Sequence, residues 1–228
     1  MNFLSHYYYE RDNTNCYFVL GTVLPDLLKN ADKNVVLHPE RLEHPDPRVS
    51  ALIAGWKKHL EVDRHFHSAE FFLEHSHALK LELGPVIKGT QVKPFFLGHI
   101  AIELLLDSLL ITTGEVAPDE FYDHLNACQD DIITEFLRFS GMDDPEIFLS
   151  FFAHFKRDRY LHTYAETHHI AYALKRICMR VWPTPFTPAQ EAAIDAVLIT
   201  YRQKIVNNYI DVFDVVGEGL ASDTEKMM

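Results

Sequence analysis

The stretch from Phe95 to Ile111 reads FFLGHIAIELLLDSLLI, and only three of its side chains can carry a charge. An α-helix that is apolar on every side is a buried one, so this segment predicts the central helix of a hydrophobic core. The three exceptions are His99, Glu103 and Asp107, spaced four and four. On a helix they share one face, with neighbouring Cβ atoms about 5–6 Å apart. Burying them costs several kcal/mol unless a partner compensates, and a divalent metal ion is an effective partner.

A second segment, WKKHLEVDRHFHSAEFFL at residues 56–73, repeats this spacing with His59, Asp63 and His67. Its apolar residues predict a helix with one buried stripe, and His59 and Asp63 lie on that stripe. The neighbours of His67 are polar, so we expect His67 at the rim of a site, where it can meet substrate. The flanking residues of the two segments do not match, which argues against an internal repeat.

Helical periodicity dominates the rest of the chain, and little sustained alternation marks strands. The sequence therefore predicts an all-α fold, with residues 1–216 as one compact multi-helix domain and 217–228 as a frayed tail. One helix is expected to begin at Pro118 and continue past Phe136. Another is expected from about Tyr160 to Val181. Thr187-Pro188-Ala189-Gln190 resembles a capping box at the start of a further helix.

Composition restricts the classes of partner and compartment. The chain has 228 residues, with 21 Lys and Arg against 33 Asp and Glu, and a formal net charge of −12. This charge disfavours nucleic acid and anionic membrane as partners. Cys16, Cys128 and Cys178 form no CxxC pair, which argues against a disulfide framework or a thiolate zinc site. No signal peptide and no run of 18 apolar residues is present, so we expect a cytoplasmic protein.

Imidazole and carboxylate groups suit divalent ions such as Zn, Mn, Fe or Mg. Seven residues are candidate ligands on this ground: His6, Asp26, His59, Asp63, His99, Glu103 and Asp107. In a hydrolase, a residue that does not bind the metal would move the proton, and His67 and His99 are the candidates. Arg176 and Arg180 share a helix face and could offset charge on a phosphoryl group. Alternatively, the polar stripes pair with each other or hold a structural ion.

Several motifs occur in the order of a known family. They are MNFLSHYYY (1–9), LGTVLPDL (20–27), HLEVD (59–63), the acidic pair Glu103 and Asp107, and RYLHTYAETHHIAYALKRICMR (159–180). Together they resemble the bacterial acyl carrier protein phosphodiesterase family, in which Asp usually stands at the position of Glu103. LGTVLPDL is also similar to the Gly-x-x-x-Pro-Asp signature of zinc-dependent phospholipase C-like proteins.

The family resemblance implies an all-helical, HD-like bundle and a metal-dependent phosphodiesterase. Its members hydrolyse the phosphodiester that joins 4'-phosphopantetheine to a serine of acyl carrier protein. The metal positions that it implies are His6, Asp26, His59, Asp63, Glu103 and Asp107. Two rival hypotheses stay open: hydrolysis of a nucleotide or lipid head group, and a non-catalytic helical protein that holds a structural ion and binds a partner or forms a homodimer.

Overall fold

The chain forms α-helices joined by turns, and no strand occurs among residues 3–227, which the computed structural model describes apart from the side chains of Thr224, Lys226 and Met227. This confirms the predicted all-α fold. The α-helices are α1 (Phe3–Tyr8), α2 (Cys16–Ala31), α3 (Pro47–Ser68), α4 (Glu70–Val86), α5 (Pro94–Thr112), α6 (Pro118–Ala127), α7 (Asp130–Phe139), α8 (Glu146–Asp158), α9 (Thr167–Met179), α10 (Pro188–Ile205) and α11 (Ile210–Met227), and short 3₁₀ helices cover Pro39–Arg41 and Tyr160–Ala165.

The helices group into two compact units. The amino-terminal unit comprises Phe3–Asp63 and Val116–Leu161, and the carboxy-terminal unit comprises Arg64–Glu115 and the described residues from His162 onward. Helix α3 contributes residues to both units. The predicted single domain over residues 1–216 stays a prediction.

In the amino-terminal unit, α2 and α3 approach closely at two glycines. A Cβ atom on Gly21 would lie 2.4 Å from the carbonyl oxygen of Leu52, and one on Gly55 would lie 2.1 Å from that of Phe18. Both contacts are shorter than any real Cβ contact, so only glycine allows the two backbones to come this close. Position 59 lies one turn after Gly55, and the close approach therefore brings it next to the backbone of α2.

In the carboxy-terminal unit, α5 is the central core helix and packs against α4, α9 and α10. Most of its residues are buried, including Glu103 and Asp107, as the sequence predicts. A Cβ atom on Gly98 would lie 2.6 Å from the carbonyl oxygen of Ser76, which shows how closely α4 approaches it. Helix α5 is long and apolar enough to cross a membrane, but 72% of the relevant window is buried inside the protein, as in a core helix.

Helix boundaries follow local capping chemistry. Asn15 accepts hydrogen bonds from the backbone N–H groups of Tyr17 and Phe18 at 3.1 and 3.3 Å, and this starts α2. The capping box at Thr187 and Gln190 is present, with Pro188 at the first position of α10. The sequence predicted this start.

Three segments differ from the sequence-based expectation. The helix that begins at Pro118 ends at Ala127, because Cys128 and Gln129 adopt extended backbone before Asp130 and Asp131 begin α7. Acidic residues in a first turn favour such a new helix start. The segment expected to be helical from Tyr160 opens as a 3₁₀ helix, and α9 begins only at Thr167.

Residues 217–227, where we expected a frayed tail, continue α11. Val212, Phe213, Val216 and Leu220 are buried at helical spacing, and this apolar stripe anchors the helix. Further along the helix, the carboxylate of Asp223 lies 2.8 Å from Nε2 of His65 and 2.5 Å from Arg64.

Candidate metal sites

Two groups of His and carboxylate side chains have ligand atoms close enough to hold a metal ion. The amino-terminal cluster consists of His6 from α1 with His59 and Asp63 from α3. The carboxy-terminal cluster consists of His67 from α3 with His99 and Glu103 from α5. Within each cluster, the ligand atoms all lie within 4.8 Å of one another.

His59 is held as a neutral imidazole in the amino-terminal cluster. Its Nδ1 lies 2.8 Å from the carbonyl oxygen of Thr22. A carbonyl only accepts, so Nδ1 carries the proton and Nε2 keeps a free lone pair. Burial and the nearby His6 lower the pKa of His59 to about 4, against the opposing effect of Asp26, Asp63 and the Thr22 bond. A neutral imidazole whose second nitrogen binds a backbone carbonyl is the usual form of a metal-binding histidine.

The Thr22 carbonyl lies three residues before Pro25 within α2. The close approach of α3 at Gly55 explains why a side chain from α3 can reach a carbonyl of α2.

His6 completes the pair of buried imidazoles. Its ring stacks on that of His59, with centroids 4.0 Å apart and an interplanar angle of 20°. Its Nε2 lies 3.6 Å from Oδ1 of Asp63, which is too long for a hydrogen bond. Its Nδ1 is buried and has no hydrogen-bond partner among the described residues. Such an unpaired buried nitrogen is costly, and coordination of a cation by the ring would fit this environment.

A cavity of about 240 Å³ lies beside this cluster. Asp26 and His59 both line it, and the carboxylate of Asp26 acts electrostatically on His59. Asp26 is thus close to the cluster, although it is not one of the three residues that share the 4.8 Å spacing. The other lining residues are Pro25, Leu28, Lys29, Val35, Val36, Leu37 and Trp56.

The carboxy-terminal cluster is built around the buried carboxylate of Glu103. Nε2 of His67 and Nε2 of His99 each lie 3.2 Å from the same oxygen, Oε1. The two imidazole rings are tilted by 41°, with centroids 4.9 Å apart. Burial alone would raise the pKa of Glu103, but surrounding positive charge and the hydrogen bonds from both histidines hold it well below its usual range. Glu103 is therefore an anion at neutral pH.

The structure divides the stripe on α3 that the sequence presented as one set. His59 and Asp63 join His6, whereas His67 joins His99 and Glu103. The sequence assigned His67 and His99 to proton transfer and also counted His99 among the candidate ligands. Both imidazoles contact the carboxylate of Glu103, and their role in proton transfer stays a prediction. Asp107 is fully buried, but it is not part of either trio. Its role as a ligand stays a prediction.

Two arginines are predicted to meet a phosphoryl group. Arg176 lies within α9, and Arg180 directly follows its last residue. Arg176 is exposed and donates a long hydrogen bond of 3.5 Å to the hydroxyl of Tyr172. Arg180 is half-buried, and its backbone N–H caps the end of the helix. Neither belongs to a metal-capable cluster, and their role in charge stabilisation stays a prediction.

The sequence did not identify the groups that complete the amino-terminal site. The Thr22 carbonyl is a backbone atom, so no residue type signals it. Trp56 and Lys29 line the cavity, but each has an ordinary place on an amphipathic helix. The available signal was the glycine pair Gly21 and Gly55, which marks a close helix contact.

Comparisons with known protein families, with curated proteins and with solved structures each found no match. The residues and the geometry of the two clusters are therefore the basis for a function.

Proposed function

We propose that this protein is a metal-dependent phosphodiester hydrolase whose cation is held by His6, His59 and Asp63, with Asp26 alongside. The observation that carries the proposal is the state of His59. It is buried and neutral, it donates from Nδ1 to a backbone carbonyl, and its free nitrogen belongs to a trio of potential ligand atoms. The motif resemblance to acyl carrier protein phosphodiesterases independently assigns metal binding to the same four residues.

The donor set suits a borderline or hard divalent ion. Two imidazoles and one carboxylate favour Zn, Fe or Mn, and the second carboxylate of Asp26 adds the negative charge that Mn and Mg prefer. A divalent cation bound there would polarise a phosphoryl oxygen and lower the pKa of an attacking water molecule.

The residues around the cavity have separate tasks in this proposal. The Thr22 carbonyl fixes the tautomer and orientation of the His59 ring. Asp26 brings negative charge to the cavity wall beside His59. Trp56 and the Val35–Leu37 segment form an apolar wall of the cavity. Lys29 lines the same cavity and supplies positive charge for an anionic substrate.

The cavity volume bears on the substrate. About 240 Å³ is below the range of typical drug-sized pockets, so it suits a phosphodiester and one slender substituent. The pantetheine arm of holo-acyl carrier protein has this shape, and the motif resemblance supports it as the first candidate. The mostly apolar lining favours a lipid head group as the second candidate.

The test measures metal content and catalytic turnover on the same protein. Protein purified without added metal is examined by elemental analysis and assayed on bis-p-nitrophenyl phosphate with Mn²⁺, Mg²⁺ or Zn²⁺. We expect one bound ion to be lost, and hydrolysis to fall to background, in the double variant H59A/D63A. H154A is the matched control, because His154 is exposed on α8 of the same unit.

Unchanged metal content and turnover in H59A/D63A would refute the site. Metal binding that depends on His59 without any hydrolysis would favour the non-catalytic alternative. Parallel assays with holo-acyl carrier protein and with phospholipid vesicles then separate the two substrate classes.

A further inference from the structure

We infer that His67, His99 and Glu103 form a second cation site, which binds zinc through two imidazole nitrogens and one carboxylate oxygen. This inference concerns residues outside the proposed hydrolytic centre and does not depend on the hydrolase activity. It adds His67, which the sequence assigned to proton transfer, to the sequence-based candidate ligands His99 and Glu103.

The spacing of each imidazole nitrogen from the Glu103 carboxylate matches that of a zinc site. Zinc–nitrogen and zinc–oxygen bonds are about 2.0–2.2 Å, so two ligand atoms at a tetrahedral angle lie about 3.3–3.5 Å apart. The two Nε2 atoms each lie 3.2 Å from Oε1 of Glu103. All three ligand atoms lie within 4.8 Å of one another, so binding an ion requires the rings to turn toward a shared point and to release the protons that they share with Oε1.

The surrounding side chains hold the cluster in this geometry. Phe72 is buried and packs against both imidazoles, with ring centroids 4.9 Å from His67 and 5.0 Å from His99. The ring of Phe66, the preceding residue of α3, has its centroid 6.0 Å from that of His67. Glu103 is fixed on the core helix α5. A cluster whose rotamers are fixed by packing loses little entropy when it binds an ion.

Exposure provides a route for the ion. Glu103 is 2% exposed, whereas the side chains of His67 and His99 are 34% and 40% exposed. The buried carboxylate lies at the base and the two imidazoles at the surface, so a cation can enter between them from solvent. Three protein ligands with one side open is the arrangement of catalytic zinc sites, which keep a fourth position for water or substrate.

The ligand types select the ion. Two imidazoles and one carboxylate without thiolate exclude a structural thiolate zinc cage and disfavour calcium and magnesium, which prefer oxygen ligands. Among the available divalent ions, zinc binds such sites more tightly than manganese or iron. We therefore use zinc as the probe.

The experiment counts zinc ions. The protein is stripped with chelator, incubated with excess Zn²⁺, passed through a desalting column and examined by elemental analysis. We expect two ions per chain for the wild type and one for H99A. H77A, which removes an exposed histidine of α4, is the matched control and should keep both ions. His99 is half-exposed, so its loss should leave the fold intact, and circular dichroism checks this.

Further variants protect the result against misfolding and separate the two sites. H67A and E103Q should each also reduce the content to one ion. The double variant H59A/D63A should keep the ion at His67, His99 and Glu103, even if the proposed hydrolytic centre proves wrong. The inference is overturned if folded H99A, H67A and E103Q all retain the zinc content of the wild type.

Discussion

The two clusters use the same residue types with opposite burial. In the amino-terminal cluster both imidazoles are buried and the carboxylate of Asp63 is 40% exposed. In the carboxy-terminal cluster the carboxylate is buried and both imidazoles reach the surface. The buried member determines the charge that each cluster needs. Buried neutral imidazoles offer lone pairs to a cation, whereas a buried carboxylate requires a positive partner in any state of the protein.

Different contacts also hold the imidazoles of the two clusters in place. His59 depends on a backbone carbonyl of α2, which is available because two glycines let the helices touch. His67 and His99 depend on the aromatic ring of Phe72. A substitution in one support should therefore affect one cluster and leave the other intact.

Loss of Phe72 should have the largest effect on stability. Truncating a buried Phe to Ala costs about 3–5 kcal/mol, and F72A also removes the ring that packs on both surface imidazoles. We expect the free energy of unfolding in urea to fall by this amount and zinc to bind more weakly at the carboxy-terminal cluster only. F95A is the control, because Phe95 is 65% exposed on α5 and its loss should change stability by less than about 0.5 kcal/mol. Unaltered zinc affinity in F72A would show that the ring does not support the cluster.

The buried imidazole of His59 should make metal-free protein sensitive to acid. Its pKa is about 4 in the fold and about 6.5 when unfolded, so the unfolded chain binds an extra proton between these values. The free energy of unfolding therefore falls as the pH drops through this window, by about 3 kcal/mol in total. H59Q should lack this part of the pH dependence, and H154A should retain it. Equal pH profiles for H59Q and the wild type in chelator would contradict the assignment.

A methyl group at the contact of α2 and α3 should have a smaller effect. In G55A the new Cβ would lie 2.1 Å from the carbonyl of Phe18, so the helices must separate. Overpacking of this kind costs about 1–3 kcal/mol, and the shift should weaken metal binding at His59 while leaving the carboxy-terminal cluster unchanged. G84A is the control, since its Cβ would meet only Pro94 at 3.8 Å. Normal metal affinity in G55A would mean that the glycine contact does not position His59.

The sequence predicted what depends on local pattern. The apolar run at 95–111 predicted α5 and its burial, and the spacing of four predicted that His59 and Asp63 share a face. The partners across helices were not predictable in the same way. His6 with His59, and His67 with His99, are paired by helix packing that no periodicity encodes. For the same reason, the spacing did not show that His67 leaves the set of His59 and Asp63.

The remaining differences between the expected and the observed helices have local causes. Two acidic residues after Gln129 start a new helix where the apolar pattern alone suggested continuation. The apolar positions of α11 lie within a stretch rich in glycine and acidic residues, and this composition predicts a frayed end. In the structure Leu220 is buried, and the helix continues past it. Tertiary contacts decide such segments.

Anomalous diffraction from crystals soaked in Zn²⁺ would show whether His6, His59 and Asp63 hold a metal ion, because it locates the ion without any variant. We predict a peak about 2.0–2.2 Å from Nε2 of His59 and from a carboxylate oxygen of Asp63, with His6 as a further ligand. A soaked crystal with no anomalous peak at these residues, and with His59 still bound to the Thr22 carbonyl, would show that the amino-terminal cluster does not bind zinc.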